Sequence, residues 1–154
     1  EKQTEPAREA GIRVVNLRTG LVLSSEGGAL KTMLPAFKLG LGGRLGDGDQ
    51  YMSWIGIEDL VGVIYNAMYR EELKGPVNAV SPNPVTNEQF TKTLAGVLGR
   101  PALLPAPKMA MKLIMGEMGE VMLLQGQRVR PKKLLEIGFD YHYPTLEEAL
   151  KHEI

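Results

Sequence analysis

The stretch IRVVNLRTGLVL, at residues 12–23, contains two short apolar runs that are separated by Arg18-Thr19-Gly20. Dense runs of valine, isoleucine and leucine are typical of strands that are covered on both faces, as in a parallel sheet. Amphipathic helical patterns follow at 29–39, 58–69 and 87–98. The alternation of strands with helices predicts an α/β fold, or α+β if this chain is taken in isolation. We expect a few short strands and about five helices.

Local signals sharpen this prediction at several positions. Pro35 lies inside the helical pattern at 29–39 and predicts a kink or an early end there. Thr86 and Gln89 have capping-box spacing, and Gly99 predicts the end of that helix. Phe139, Tyr141 and Tyr143 alternate as in an edge strand, and a final helix is predicted to follow the cap residue Thr145.

Composition excludes several classes of function. The 154 residues include 18 basic and 18 acidic side chains, so the net charge is zero and nothing favours binding to nucleic acid. Cysteine is absent and only two histidines occur, which argues against disulfides, thiol nucleophiles and metal sites. No apolar run reaches membrane-spanning length and no secretory leader is visible, so we expect a cytoplasmic protein without a membrane partner.

Residues 40–49 hold five glycines, interleaved with Arg44, Asp47 and Asp49. So many glycines predict a loop, and they would allow the backbone to approach a ligand closely. The stretch precedes a predicted strand near 51–57. A dinucleotide-binding glycine motif instead follows a strand and opens a helix, so we do not interpret residues 40–49 as one.

No catalytic set is visible, and we predict no catalytic residue. Ser24-Ser25-Glu26 has no histidine nearby, and Glu58-Asp59 is typical of the start of a helix. Two other clusters remain open. A methionine cluster forms either part of the core or an interface; its members are Met109, Met111, Met115, Met118 and Met122. A basic cluster forms either a solvated face or a phosphate-binding site; its members are Arg128, Arg130, Lys132 and Lys133.

A series of motifs then resembles a known family in its order. These motifs are Leu17-Arg18-Thr19-Gly20-Leu21-Val22-Leu23, Gly27-Gly28, Met33-Leu34-Pro35, Leu39-Gly40-Leu41-Gly42-Gly43, Gly46-Asp47-Gly48-Asp49-Gln50, Trp54-Ile55, Asp59, Ser81-Pro82, Pro84-Val85, Asn87-Glu88, Phe90, Gly126-Gln127-Arg128, Pro131-Lys132 and Gly138-Phe139. Together they resemble the C-terminal half of an epimerase-family protein of the extended short-chain dehydrogenase/reductase superfamily, in the subgroup that ends in a domain of unknown function.

The resemblance implies a partial Rossmann-like fold with two parts. Residues 1–100 would form late sheet strands and the substrate-side lobe, and residues 101–154 a small C-terminal appendage. An N-terminal half would bind NAD or NADP and would be this chain's partner. The implied cofactor contacts are Arg18, Thr19, Gly20, Leu21 and Val22, with the Val22 backbone foremost. The implied substrate contacts are Gly43, Arg44, Gly46, Asp47, Gln50 and Trp54, around a loop that moves when the substrate binds.

Two departures from the family pattern affect the substrate. Met52 stands where many sugar-nucleotide epimerases have an arginine that holds the diphosphate, and Arg44 is a candidate replacement. Gly56 stands where many members of the subgroup have histidine. The first change argues against a sugar-nucleotide substrate, although that class stays the implied one, and the second removes a ring contact at the cleft.

Three interpretations of the chain's role follow. In the first, the chain is a fragment of an NAD(P)-dependent epimerase or reductase, and the fragment alone is inactive and binds no cofactor. In the second, it is an interaction module of a cell-division regulator. In the third, it is a structural lobe without a ligand. Taken alone, the strands at 13–23 would expose an unpaired edge. We therefore also expect a homodimer, formed by strand addition or by exchange of the helix at 1–10.

Overall fold

The computed structural model describes residues 1–102 and 126–154. Within these ranges a 3₁₀ turn at Lys2–Thr4 precedes helices α1 (Glu5–Glu9), α2 (Gly28–Lys38), α3 (Ile57–Tyr69), α4 (Asn87–Leu98), α5 (Lys132–Glu136) and α6 (Leu146–Glu153). The strands are β1 (Val15–Thr19), β2 (Leu21–Leu23), β3 (Tyr51–Met52), β4 (Trp54–Gly56), β5 (Gly75–Ala79) and β6 (Val85–Thr86). Short strands that alternate with helices confirm the predicted α/β class.

The strands form three pairs, two of which are parallel. β1 runs parallel to β5, from Val15 opposite Gly75 to Thr19 opposite Ala79. β2 runs parallel to β4, while β3 and β6 form a short antiparallel pair. The apolar run at residues 12–23 therefore lies in a parallel arrangement, as its composition predicts.

Gly20 marks the point at which this long strand changes partner. Its amide bonds to the carbonyl of Ala79 at 3.3 Å, whereas the next amide, of Leu21, bonds to the carbonyl of Ser53 at 2.8 Å. The predicted separator Arg18-Thr19-Gly20 is thus too long, because Arg18 and Thr19 belong to β1. A side chain at Gly20 would place Cβ 2.8 Å from the carbonyl carbon of Ser53, so this close crossing of strands requires glycine.

Two apolar clusters lie on either side of the parallel strands. One cluster joins β2, β3 and β4 to helices α2, α4 and α6 around Trp54, Phe90 and Leu150. The other joins α3 and α5 to β1 and β5 around Val63, Val77 and Leu134. The last helix therefore completes a core that begins with the second strand.

Helix α2 continues through Pro35 to Lys38, so the predicted early end is wrong. Proline removes one backbone donor inside the helix, but Leu30, Leu34 and Phe37 are all buried on the same side. Burial of this face outweighs the loss of one hydrogen bond. Beyond Pro35 the helical pattern is kept, because the carbonyl of Pro35 accepts the amide of Leu39 at 3.2 Å.

The edge strand predicted at 139–143 is absent from the described residues, which have no strand in that range. The amides of His142 and Tyr143 donate instead to the carboxylate of Asp59, at 2.8 and 3.2 Å. The hydroxyl of Tyr141 donates to the carbonyl of Val80 at 2.7 Å. These side-chain contacts replace a strand ladder, which residue alternation alone does not reveal.

Both predicted helix caps are present. Thr86 accepts the amide of Gln89 and the side chain of Gln89 accepts the amide of Thr86, and Thr145 and Glu148 repeat the arrangement. Gly99 ends α4 with φ 62°, as predicted. The methionine cluster at 109–122 lies outside the described residues. In the part of the chain that the structure describes, no helix is long and apolar enough to cross a bilayer.

Candidate functional site

The predicted cofactor-contact segment, residues 18–22, lies where the parallel strand β1 ends. In open α/β sheets, ligands bind beyond the carboxyl ends of parallel strands. β1 ends at Thr19 beside the end of β5 at Ala79, and Arg18 and Thr19 are exposed there. Residues 20–22 are half-buried, so they offer mainly backbone to a ligand.

The side chain of Arg18 is engaged by the chain itself. Its Nε and Nη2 atoms donate to the two carboxylate oxygens of Glu1, at 2.6 and 2.8 Å. This hydrogen bonding holds the pKa of Glu1 below its usual value. The guanidinium is therefore occupied, and a ligand near β1 would meet the backbone of the segment before the Arg18 side chain.

The glycine-rich loop is fixed at its middle. Leu45 is buried, its amide donates to Oδ1 of Asn87 at 2.7 Å, and its carbonyl accepts Nε2 of Gln50 at 3.0 Å. The amide of Glu88 also bonds to the carbonyl of Gly48, at 2.9 Å. These contacts tie the loop to the start of α4, so any ligand-linked motion is limited to its exposed residues.

Three of the predicted substrate residues lie together in the exposed part of this loop. Arg44, Gly46 and Asp47 face solvent, and Nη1 of Arg44 donates to the carbonyl of Asp47 at 3.0 Å. Gly43 is buried beside them. The charged groups that the sequence suggests for ligand contact are therefore close together and accessible.

Gln50 lies at the base of the loop and brings an unsatisfied polar atom. Its Oε1 is buried and has no hydrogen-bond partner within 1–102 and 126–154. Buried carbonyl oxygens usually have a donor, so this atom is a candidate acceptor for a ligand or an ordered water. Gln50 therefore stays a predicted substrate contact.

Trp54 does not fit that set, and its assignment needs correction. Its side chain has no exposed surface, and Nε1 donates to the carbonyl of Asn83 at 3.0 Å. β4 carries it into the core beside Leu23 and Phe90. Sequence reasoning placed it at the cleft from the family motif, but the structure assigns it to packing.

Met52 also points into the core. It is buried, and its sulfur accepts Nδ2 of Asn87 at 3.4 Å. An arginine in this orientation would bury an unpaired charge, so this part of the chain offers no diphosphate contact at position 52. Arg44 lies on the exposed loop, so of positions 44 and 52 only position 44 presents an accessible cation.

The structure also brings Arg128 close to Tyr51, which the sequence does not foretell. Ser53 Oγ donates to the carbonyl of Gln127 at 2.6 Å and accepts the amide of Val129 at 2.9 Å. The guanidinium of Arg128 then lies 5.1 Å from the Tyr51 ring centroid, within cation–π range. The sequence shows the basic cluster at 128–133, but it does not indicate that Arg128 contacts Tyr51.

Of the remaining ionisable groups, Glu58 and His152 form the clearest pair. Nε2 of His152 lies 3.0 Å from Oε1 of Glu58, and its ring stacks on Tyr143 with centroids 4.4 Å apart. No group of three or more His, Asp or Glu side chains suited to a metal ion occurs among the described residues. We therefore assign this pair to the docking of α6 on α3.

Comparison with known proteins identifies relatives over nearly the whole chain. Residues 106–153 match a family model described as a domain of unknown function (DUF1731). An epimerase family protein of Mycobacterium bovis is 47% identical over 150 residues, which cover 97% of this chain and 50% of the relative. Human epimerase family protein SDR39U1 is 42% identical over 139 residues, covering 90% and 47%. The chain thus spans about half the length of the curated relatives it matches.

Solved structures agree. Human SDR39U1, crystallised with NADPH, is 40% identical with a TM-score of 0.85, covering 92% of this chain and 48% of that one. A nucleoside-diphosphate sugar epimerase from Corynebacterium glutamicum is 36% identical with a TM-score of 0.73, covering 97% and 28%. A Thermotoga maritima UDP-glucose 4-epimerase, 22% identical with a TM-score of 0.69, shows the same fold. The chain therefore belongs to the epimerase family of the extended short-chain dehydrogenase/reductase superfamily, and it corresponds to the C-terminal half of such a protein.

Proposed function

We propose that this chain is the substrate-side half of an NAD(P)-dependent epimerase or reductase whose partner is a cofactor-binding N-terminal half. The observation that carries the proposal is the match of 92% of the chain to part of a protein crystallised with NADPH. When bound, a nicotinamide cofactor would supply hydride transfer. This chain would contribute contacts to the cofactor and to the substrate.

The described residues fit one end of such a cofactor. The segment 18–22 lies at the carboxyl end of β1, where Arg18 and Thr19 are exposed. In the described ranges the turn between β2 and α2 holds only the pair Gly27-Gly28, and no turn between a strand and a helix there has the G-x-G-x-x-G spacing that normally holds a pyrophosphate. We therefore propose a backbone contact by residues 20–22, with Val22 foremost, and a cofactor that depends mainly on the other half.

The substrate contacts would come from the glycine-rich loop. Gly43 and Gly46 would allow close approach, Arg44 and Asp47 would supply charged contacts, and Oε1 of Gln50 would accept a hydrogen bond. A sugar nucleotide is the class that the printed name of the Corynebacterium relative suggests. Burial of Met52 leaves Arg44 as the proposed contact to its diphosphate.

A chimera tests this proposal. The N-terminal half of the Mycobacterium bovis relative, joined to this chain, is expected to bind NADPH, whereas the chain alone binds it weakly or not at all in a calorimetric titration. Micromolar binding by the chain alone, or no binding by the folded chimera, would contradict the proposal.

The interaction-module interpretation depends on the methionine cluster, which lies outside the described residues. Nothing in residues 1–102 or 126–154 singles out a cell-division partner. We therefore retain the enzyme half as the proposed function.

A further inference from the structure

The segment at residues 126–130 crosses the carboxyl end of the β1–β5 pair. Nδ2 of Asn78, the last residue but one of β5, donates to the carbonyl of Arg130 at 3.1 Å. Asn78 lies opposite Arg18 in the parallel pair. One end of the 126–130 segment is therefore held beside the start of the proposed cofactor contacts.

Ser53 fixes the middle of this segment. Its hydroxyl donates to the carbonyl of Gln127 and accepts the amide of Val129, so both neighbours of Arg128 are held by one side chain. The carbonyl of Ser53 accepts the amide of Leu21 at 2.8 Å. The backbone at Arg128 is thus fixed one residue away from the strand that carries the proposed cofactor contacts.

The other end of the segment lies on the base of the glycine-rich loop. A side chain at Gly126 would place Cβ 2.7 Å from the amide nitrogen of Tyr51 and 3.0 Å from the carbonyl carbon of Gln50, so the two backbones are in direct contact. Oε1 of Gln50 is the buried oxygen that has no hydrogen-bond partner within 1–102 and 126–154. The 126–130 segment therefore connects the two parts of the candidate site.

The guanidinium of Arg128 is held in place by an aromatic ring. Its Cζ atom lies over Tyr51, 5.1 Å from the ring centroid, and the side chain is exposed. A cation–π contact uses the charge of the guanidinium and leaves its N–H donors available. Among the residues that the structure describes, no carboxylate lies within 4.0 Å of this guanidinium. Arg128 is therefore a positioned cation with donors to offer.

The lysines of the basic cluster are placed differently. Nζ of Lys132 lies 3.7 Å from a carboxylate oxygen of Glu136 within α5. Nζ of Lys133 donates to the carbonyl of Lys74 at 2.6 Å, just before β5 begins and thus at the amino end of that strand. Charge alone does not distinguish the members of this cluster, whereas the contact with Tyr51 places Arg128 at the site.

We propose that Arg128 binds the diphosphate of a sugar-nucleotide substrate, and that Tyr51 positions its guanidinium. The inference rests on the proposed function for the substrate that enters the cleft. A planar guanidinium donates two parallel hydrogen bonds to phosphate oxygens, which an ammonium group does not. Holding the side chain over a ring before binding also lowers the entropy that binding costs. Arg128 and Arg44 together would balance the charge of a diphosphate diester.

Nuclear magnetic resonance of the 154-residue chain, titrated with UDP-glucose, tests the proposal. The Nε–Hε resonance of Arg128 is expected to shift and to saturate at millimolar concentration. UDP should compete, and uridine, which lacks the diphosphate, should not. Arg128→Gln should weaken binding at least about tenfold, because it removes a charge-assisted bidentate contact.

Arg70→Gln is the matched control for the loss of charge. Arg70 is exposed and lies between α3 and the amino end of β5, so the same substitution is made at the opposite end of the strand from Asn78. The affinity for UDP-glucose should change by less than about twofold, since an exposed charge at such a distance is screened by salt. Amide spectra of both variants check that they are folded.

Two variants of Tyr51 test its positioning role. Tyr51→Phe keeps the ring and should keep the affinity for UDP-glucose. Tyr51→Leu removes the ring and should lower the affinity about two- to fivefold, which corresponds to one exposed cation–π contact. Equal losses in the two variants would show that the ring does not position Arg128.

Three results would overturn the role of Arg128. They are no saturable shift at its Nε–Hε with UDP-glucose, equal losses of affinity in Arg128→Gln and Arg70→Gln, and competition by uridine as strong as that by UDP. The titration contains no cofactor, so its failure is distinguishable from a failure of the chimera to bind NADPH. UDP-glucose binding that Arg128→Gln leaves unchanged would refute this inference and leave the proposed function standing.

Discussion

Oδ1 of Asp59 accepts the backbone amide of His142 at 2.8 Å, which joins the first turn of α3 to the segment before α6. Oδ2 accepts the neighbouring amide of Tyr143 at 3.2 Å, and the carboxylate is only 1% exposed. A buried carboxylate is stabilised when backbone donors satisfy it. Asp59 thus connects α3 to the segment that precedes α6.

Replacing Asp59 with Ala should lower the free energy of unfolding by about 2–3 kcal/mol, because two partly buried amides would lose a charged acceptor. Urea denaturation measures the change. Glu71→Gln removes an acidic charge from an exposed position just beyond α3 and should have little effect. Equal stability of Asp59→Ala and the control would show that water replaces the carboxylate without cost.

Tyr141 should make the stability depend on pH in the alkaline range. Burial, with the nearby charge of Asp59, raises the pKa of its phenol above the ordinary 10.0. The folded state therefore retains the proton at a pH where the unfolded state loses it. This stabilisation is complete below the unfolded pKa and is lost as the pH rises through the folded value.

Unfolding midpoints measured below and above pH 10.0, the ordinary pKa of tyrosine, check that stability falls as the pH rises. Tyr141→Phe should lose the bond to the Val80 carbonyl, costing about 1 kcal/mol at neutral pH, and should reduce the alkaline loss of stability. Tyr65→Phe changes an exposed tyrosine and is the control. An identical alkaline profile for the wild type and Tyr141→Phe would contradict the assignment.

Gly20→Ala should destabilise the fold by at least about 2 kcal/mol, because its methyl group would collide with backbone and with Val80 Cγ1 at 2.9 Å. Gly96→Ala makes the same change inside α4 where the added carbon meets nothing, and it should stabilise by about 0.5–1 kcal/mol. Thermal unfolding of the two variants separates the steric clash at position 20 from the general effect of replacing a glycine with alanine. Similar shifts for both variants would show that the strands move apart readily.

Asn87→Ala should release the middle of the glycine-rich loop. The amide of Leu45 would lose a buried acceptor, at a cost of about 1–3 kcal/mol. Faster hydrogen exchange at Leu45 is the expected result. Unchanged exchange would mean that burial of the leucine side chain alone holds the loop.

Arg44→Ala should have nearly no effect on folding, because exposed loop charges contribute little stability. In a protein that also contains a cofactor-binding half, the same change should weaken substrate binding. A crystal of such a protein with its cofactor offers a direct check. A loop far from the nicotinamide ring and facing bulk solvent would contradict the proposed cleft.

Local patterns predicted the elements of this fold well, and contacts between distant residues were predicted poorly. The apolar runs around Gly20 indicated parallel strands, and Thr86 and Thr145 indicated helix caps, because each depends on neighbours a few residues away. Alternation of Phe139, Tyr141 and Tyr143 led to the wrong strand. Its amides are taken by Asp59, 83 residues earlier than His142, and no local pattern encodes that distance.

The candidate site shows the same division. Residues 40–49 were correctly predicted as a loop from their glycines, and the exposure of Arg44 and Asp47 agrees with that interpretation. The sequence did not distinguish Trp54, which packs inside, from a residue that lines a cleft. The contact of Arg128 with Tyr51 depends on a serine 75 residues earlier than the arginine, so it could only be found from the folded chain.

The position of α6 has a consequence for synthesis of the chain. Leu150, at 0% exposure, packs in the same cluster as Leu23, and Glu153 accepts the amide of Ser25 at 3.1 Å. Proteins generally fold as units as they leave the ribosome. Because this core lacks one wall until α6 has left the ribosome, the nascent chain exposes the leucines of this cluster until then. Its demand for chaperones should therefore fall only once α6 has emerged.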